Sequence, residues 1–213
     1  MPAIDLLARK NGVRAAAATH PSTLPLLGYE SSGGFSLRGE SRAFNQAVLD
    51  FVRAKRVRAV LLAAAWHGYD DEDGRMRMGM QTTIAALREA GAAIWIMKQV
   101  PQHNVDVPKA LAAAVLFDRP LEEHALTLAQ HRSASRVQDE MFSAIAVPGV
   151  RFLESLPFFI AEADRCRIAA DGRSLYRDAH HLSTKGAIRL VPLFEELFAA
   201  RDRGAALGSP QRR

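Results

Sequence analysis

The chain has 213 residues, 48% of them apolar and 24% charged, which are ordinary globular values that exclude disordered and fibrous classes. Lys and Arg outnumber Asp and Glu by 28 to 23, and the four Arg against one Asp from Arg201 onward account for +3 of the net +5. The remainder is too even for a nucleic-acid surface, which shows a basic stripe, and the single Cys166 excludes an internal disulfide.

A chain of this length buries roughly 70% of the surface its unfolded form exposes, so it needs no metal or disulfide to fold. No apolar run approaches the ~18 residues of a membrane span. The longest, Val57 to Trp66, is interrupted by Arg58. Met1-Pro-Ala-Ile-Asp lacks the charged start and apolar core of a signal peptide. Taken literally, a start at Met1 describes a cytoplasmic protein.

The first element is a helix over Met1–Gly12, with Ile4, Leu7 and Ala8 on its apolar face, and a strand is expected at Val13–Thr19. Ser41–Lys55 follows as a helix whose apolar face holds Phe44, Ala47, Val48, Phe51 and Val52. Val57–Trp66 reads as a buried parallel strand, and His67–Arg75 as a loop. Met78–Ala90 is helical and stops at Gly91, as a C-terminal cap requires. Ala92–Met97 is a second buried strand. Helices over Pro108–Phe117 and Leu121–Ile145 precede a third strand at Val150–Leu153.

The last helix has Ser183 at its N-cap, carries Ala187, Leu190, Val191, Phe194, Leu197 and Phe198 on one face, and is kinked at Pro192. Residues 201–213, after a domain of residues 1–200, read as a basic tail that begins as a weak helix end and continues as a mobile Gly/Pro/Arg segment. Alternating helices and buried strands predict a doubly wound, three-layer α/β fold with a parallel sheet. In such folds a leading helix normally follows a first, central strand. Here the helix comes first, so that strand is expected to be missing.

Candidate chemistry concentrates in Leu175-Tyr-Arg-Asp-Ala-His-His-Leu-Ser-Thr-Lys-Gly-Ala187. Asp178 and His181 stand three apart before a helix. On a tight loop the carboxylate can accept from Nδ1–H and leave Nε2 free as a base, the orienting half of a Ser-His-Asp triad. Spacing alone favours two solvated histidines on an acidic approach to a helix.

His180 and His181 with Asp178 offer metal-ligand atoms, but adjacent imidazoles are expected to diverge and no His-x-x-x-His pair accompanies them, so no metal is expected. Trp66 and Tyr69 follow a buried strand, where ligands bind in open α/β sheets. They read as the wall of a sugar site, or, for Trp66, as the end of the core. Ser31-Ser-Gly-Gly34 reads as a flexible loop, and Asp70-Asp-Glu-Asp73 as a solvated acidic loop rather than a cation site. His67, His103 and His131 have no role assignable from the sequence.

The ending Asp178-x-x-His181-Leu-Ser, followed by Gly186-Ala187 and an apolar helix, resembles that of SGNH-type esterases and acyltransferases. More closely, it is similar to the SGNH domain fused to membrane acyltransferases that O-acetylate cell-envelope polysaccharides. Pro25-Leu-Leu-Gly28 fits in order, as does Phe44-Asn45 leading to Leu61–Trp66 and Tyr69. His131-Arg-Ser and Gly172-Arg-Ser-Leu-Tyr176 continue the match, so the likeness covers about residues 1–200.

The resemblance implies that His181 is the general base and Asp178 its partner, with no cofactor. It implies a polysaccharide or sugar acceptor, a membrane acyltransferase domain as partner, and a periplasmic or other extracytoplasmic location. The nucleophilic Ser of this family lies in a Gly-Asp-Ser-His turn after the first strand, and no Gly-Asp-Ser occurs in these 213 residues. A Ser hydroxyl and its base work only together, so the chain by itself is expected to be close to inactive. The alternatives are a non-catalytic remnant that binds glycan or a partner protein, and a stand-alone esterase whose true start lies upstream.

Overall fold

Three of the apolar runs assemble into one parallel sheet in the computed structural model, which describes residues 2–69, 73–161 and 164–205. Two units are distinguished: Met1–Ala16 with Val100–His131 and Ser155–Arg213, and Ala17–Gln99 with Arg132–Glu154.

The second unit holds the sheet. Strands β1 (Ala59–Ala63), β2 (Ala93–Met97) and β3 (Val150–Leu153) lie in the order β1-β2-β3. Both pairings are parallel, with Leu61 opposite Trp95 and Trp95 opposite Arg151. Ile94, Trp95 and Ile96 are buried on both faces of the middle strand, as the continuous apolar run requires. β1 is more exposed, and among the described residues its outer edge has no strand partner.

Helices α2 (Ser41–Ala54) and α3 (Arg75–Glu89) belong to this unit, and their ends follow from sequence. Gly91 takes a left-handed φ of 77°. Its amide donates to Arg88 O at 2.9 Å and that of Ala92 to Leu87 O at 3.0 Å, a Schellman termination. The Pro25–Gly28 segment is held from two sides. Asn45 Nδ2 donates to the carbonyls of Leu24 (2.8 Å) and Leu26 (3.0 Å), while Leu27 N–H donates to Thr83 Oγ1 (2.8 Å). Two motif fragments that are separate in sequence are thus one packing unit beside the core of Leu24, Leu26, Leu49, Trp66, Met80 and Ile96.

The first unit comprises α1 (Pro2–Lys10), α4 (Val107–Leu116), the start of α5 (Leu128–Ala144), the short antiparallel pair β4 (Ala169–Ala170) and β5 (Arg173–Ser174), α6 (Thr184–Ile188) and α7 (Val191–Ala205). α1 packs on α6 and α7.

Three expectations are corrected. Val13–Thr19 forms no strand: Val13 N–H closes the end of α1 on Ala8 O at 2.9 Å, and the following residues, four of them Ala, are exposed. α5 begins at Leu128 rather than Leu121. The reason is a capping box, in which Thr127 Oγ1 accepts from Gln130 N–H (3.1 Å) and Gln130 Oε1 accepts from Thr127 N–H (2.9 Å). The last helix is broken rather than kinked. α6 ends at Ile188 and Pro192 falls in the first turn of α7, where its missing N–H costs nothing. Of the acidic loop, Asp70, Asp71 and Glu72 lie outside the described residues, and Asp73 pairs with Arg75. Of the expected tail, 201–205 continue α7 and 206–213 lie outside the described residues.

Candidate active site

Asp178 and His181 sit on a loop whose base is closed by antiparallel pairing of Tyr176 with Leu182 and by Arg177 N–H donating to His181 O at 2.8 Å. Directly after it, Ser183 caps α6. Its Oγ accepts from Gly186 N–H (3.2 Å) and donates to Ser174 O (2.8 Å). Gly186 is required here, because a Cβ would lie 2.1 Å from Leu175 O. The Ser-Thr-Lys-Gly run therefore both starts the helix and lets it approach the strand-like segment that carries the loop.

Within the loop one carboxylate organises everything. Asp178 Oδ1 accepts the amides of His180 (2.9 Å) and His181 (2.8 Å), and Oδ2 accepts His181 Nδ1–H at 2.7 Å. Partial burial opposes ionisation of Asp178. The three N–H donors outweigh it and hold the carboxyl well below the usual carboxylate range. With Nδ1–H committed to Asp178, the neutral imidazole carries its lone pair on Nε2. That atom makes no hydrogen bond among the described residues, and the side chain is 55% exposed. The geometry is that of an oriented base open to a reactant.

The structure brings His180 closer than its sequence neighbour status predicts. The two imidazole centroids are 4.0 Å apart, tilted by 43°. Ligand atoms of Asp178, His180 and His181 all lie within 4.8 Å of one another, a two-His, one-carboxylate donor set of the type transition metals accept. Both Asp178 oxygens are already engaged by N–H groups, so an ion would compete with the internal hydrogen bonds.

Of the other candidates, Trp66, Tyr69 and Ser31 belong to the second unit and Cys166 to the first. Trp66 is fully buried, its indole N–H donates to Met97 O at 2.8 Å, and its ring meets Phe142 edge-on at 5.6 Å. It has no face left for a ligand and ends the core. Tyr69 is half-buried, edge-on to Tyr29 at 6.4 Å. Burial, with Tyr29 beside it, raises its pKa, so the phenol stays protonated. Ser31 is buried, and its Oγ accepts Leu24 N–H at 3.0 Å, a structural role. Burial and Asp164 push the Cys166 thiol up to about 11, which leaves it inert.

Two histidines that carry no readable signal in sequence acquire partners. His67 Nδ1 and its own amide both meet Gln99 Oε1, at 2.6 and 3.0 Å. His103 is buried, and its amide donates to Ala179 O, inside the dyad loop, at 2.8 Å. Neither has a spacing motif, because both partners are set by tertiary contacts.

The family model described as the SGNH domain (fused to AT3 domains) matches residues 1–196. The chain belongs to this SGNH family. Among solved structures, the periplasmic domain of a lipopolysaccharide acetyltransferase from Salmonella ser. Paratyphi A is similar with a TM-score of 0.68. The two are 17% identical, and the alignment covers 93% of this chain and 78% of that one. At that identity the likeness establishes a shared SGNH-type α/β fold. No curated protein sequence matches the chain. Among the described residues no helix is long and apolar enough to cross a membrane.

Proposed function

We propose that this SGNH domain serves acyl transfer to a hydroxyl of a cell-envelope polysaccharide, with His181 as general base and Asp178 as its orienting partner. The observation that carries the reading is the 2.7 Å contact between Asp178 Oδ2 and His181 Nδ1, which leaves Nε2 open. Membership of a family fused to AT3 domains supports a membrane acyltransferase as partner and an extracytoplasmic location.

The nucleophile is proposed to be a Ser on polypeptide outside these 213 residues, since the chain contains no Gly-Asp-Ser. His181 Nε2 takes the Ser Oγ proton as Oγ attacks the acyl carbonyl of the donor. The tetrahedral adduct collapses to acyl-Ser, and the leaving group receives that proton from His181. The sugar hydroxyl then gives its proton to Nε2, attacks the acyl carbon and becomes the ester. The proton returns to Ser Oγ, and Asp178 stays ionised throughout. Tyr69 is the ring proposed to face sugar, and Trp66 is assigned to the core.

Among the described residues no serine is hydrogen-bonded to His181, which favours one second reading, a non-catalytic remnant that binds glycan or a partner protein. A fluorophosphonate probe separates the two. Residues 1–213 alone should not label, whereas a polypeptide extended through an upstream Gly-Asp-Ser turn should, and labelling should vanish in His181→Ala. An extended protein that remains unlabelled and transfers no acetyl group would favour the remnant.

A further inference from the structure

The dyad loop is anchored to the rest of its unit largely through a residue 75 positions upstream of Asp178. His103 N–H donates to Ala179 O at 2.8 Å, between the two members of the pair. Its ring also packs edge-on against Tyr176, at the base of the loop, with centroids 4.8 Å apart and planes at 83°. A longer contact from Val107 N–H to Asp178 O, 3.4 Å, continues the same attachment.

His103 is in turn held by its own side chain. Nδ1 accepts the amide of Leu126 at 3.2 Å, which requires the neutral tautomer protonated at Nε2. The residue is 4% exposed, and Nε2 has no partner among the described residues. The imidazole therefore joins three chain segments: the approach to α4, the approach to α5 and the dyad loop. Burial, reinforced by nearby His131, disfavours its charged form.

We propose that His103 is a positioning residue for the Asp178–His181 pair, and that it acts through the acceptor at Nδ1 that receives the Leu126 amide. With that bond in place the His103 backbone is fixed, its amide holds Ala179 O, and the carboxylate meets the imidazole in line. Without it, Leu126 N–H is a buried donor with no acceptor, and the segment bearing His103 must move to bring it to water. This inference rests on the reading of Asp178 and His181 as the working pair. Its test reads the geometry of the pair rather than turnover, so each can fail alone.

The experiment uses residues 1–213 and two near-isosteric substitutions. In His103→Asn the amide oxygen can occupy the place of Nδ1. In His103→Gln the polar atoms reach the place of Nε2, and Leu126 N–H loses its acceptor. Amide hydrogen exchange at His180 and His181, together with the His181 Nδ1–H resonance, reports the loop. Exchange at Ile94 and Ile96 in β2 reports the remainder of the fold.

His103→Asn should keep wild-type exchange at 180 and 181 within about threefold, and His103→Gln should speed it at least about tenfold and broaden the Nδ1–H signal, with β2 unchanged. Wild-type behaviour of the dyad loop in a folded His103→Gln protein would overturn the proposal, as would equal loss in both variants. The wild-type protein supplies an independent check that needs no variant to fold. Long-range 15N–1H correlation at neutral pH should show Nδ1 of His103 unprotonated, and a protonated Nδ1 would refute the assignment.

Discussion

Oδ2 of Asp178 receives the Nδ1 proton of His181 across 2.7 Å, while the other oxygen of the same carboxylate takes the amide of His181 itself. Side chain and backbone of one residue are thus bound to a single partner three positions away. The pair is built almost entirely from local chain, which is why its spacing is visible as a motif. It is kept from collapsing into a solvated turn by the closure at Tyr176 and Leu182 and by the attachment of Ala179 to His103.

Asp178→Asn keeps an oxygen for the two amides but sets an NH2 group against Nδ1, driving the proton of His181 to Nε2 and removing the base. In an extended protein that carries the nucleophile, acyl transfer should fall about 10⁴-fold. In residues 1–213 the amides of His180 and His181 should stay protected from exchange. Retained activity in the Asn variant would contradict the assigned role of Asp178.

Gly186→Ala places a methyl group 2.1 Å from Leu175 O and 3.0 Å from its carbonyl carbon, backbone atoms that cannot swing aside. α6 must shift, taking the Ser183 cap with it. Urea unfolding should show a loss of about 1–3 kcal/mol or more, accompanied by chemical-shift changes at Ser183 and Leu175. A stability equal to wild type would mean that the close approach is absent in solution.

Trp66→Phe deletes the donor to Met97 O and leaves a gap beside Phe142. The expected cost is about 1–3 kcal/mol in thermal or urea unfolding, with no change in glycan affinity beyond that of global destabilisation. Tyr69→Phe or Tyr69→Ala, by contrast, should alter glycan affinity with little loss of stability. The reverse pattern would return Trp66 to the ligand site.

Acid stability should show two separate windows. Burial, then His131, pushes His103 down to about 4 from the ordinary 6.5. The unfolded chain binds a proton near pH 6.5 that the folded protein refuses, so stability is complete above that pH and is lost as pH falls toward 4. The loss is on the order of 3 kcal/mol at most. Asp178, with its pKa lowered, contributes stability that is present above its ordinary 3.8 and disappears only below it. Tm measured against pH should therefore fall between 6.5 and 4. His103→Asn should flatten that part of the curve, and Asp178→Asn should change only the part below about 4. A slope between 6.5 and 4 that His103→Asn leaves intact would assign it to another group.

Much of the fold was legible from residue order. Ala93–Met97 lies where a continuous apolar run places it, because a middle parallel strand is buried on both faces, and Val150–Leu153 forms the expected third strand beside it. Gly91 and Ser183 mark ends that local hydrogen bonding enforces. Val13–Thr19 misled because alanines fit a strand only if something pairs with them, and Val13 is already spent on closing α1. The helix expected over Leu121–Ile145 starts only at Leu128, because the Thr127–Gln130 box satisfies the first free amides there.

By itself, the sequence determined the alternation of helices and buried strands, the family likeness and the Asp-x-x-His pair, all of which depend on neighbours within a few positions. Only the tertiary structure decided that Trp66 belongs to the core and that His103 grips the dyad loop through Ala179. Such contacts join residues tens of positions apart, and no local pattern records them, because the partner's place is set by how the intervening chain packs.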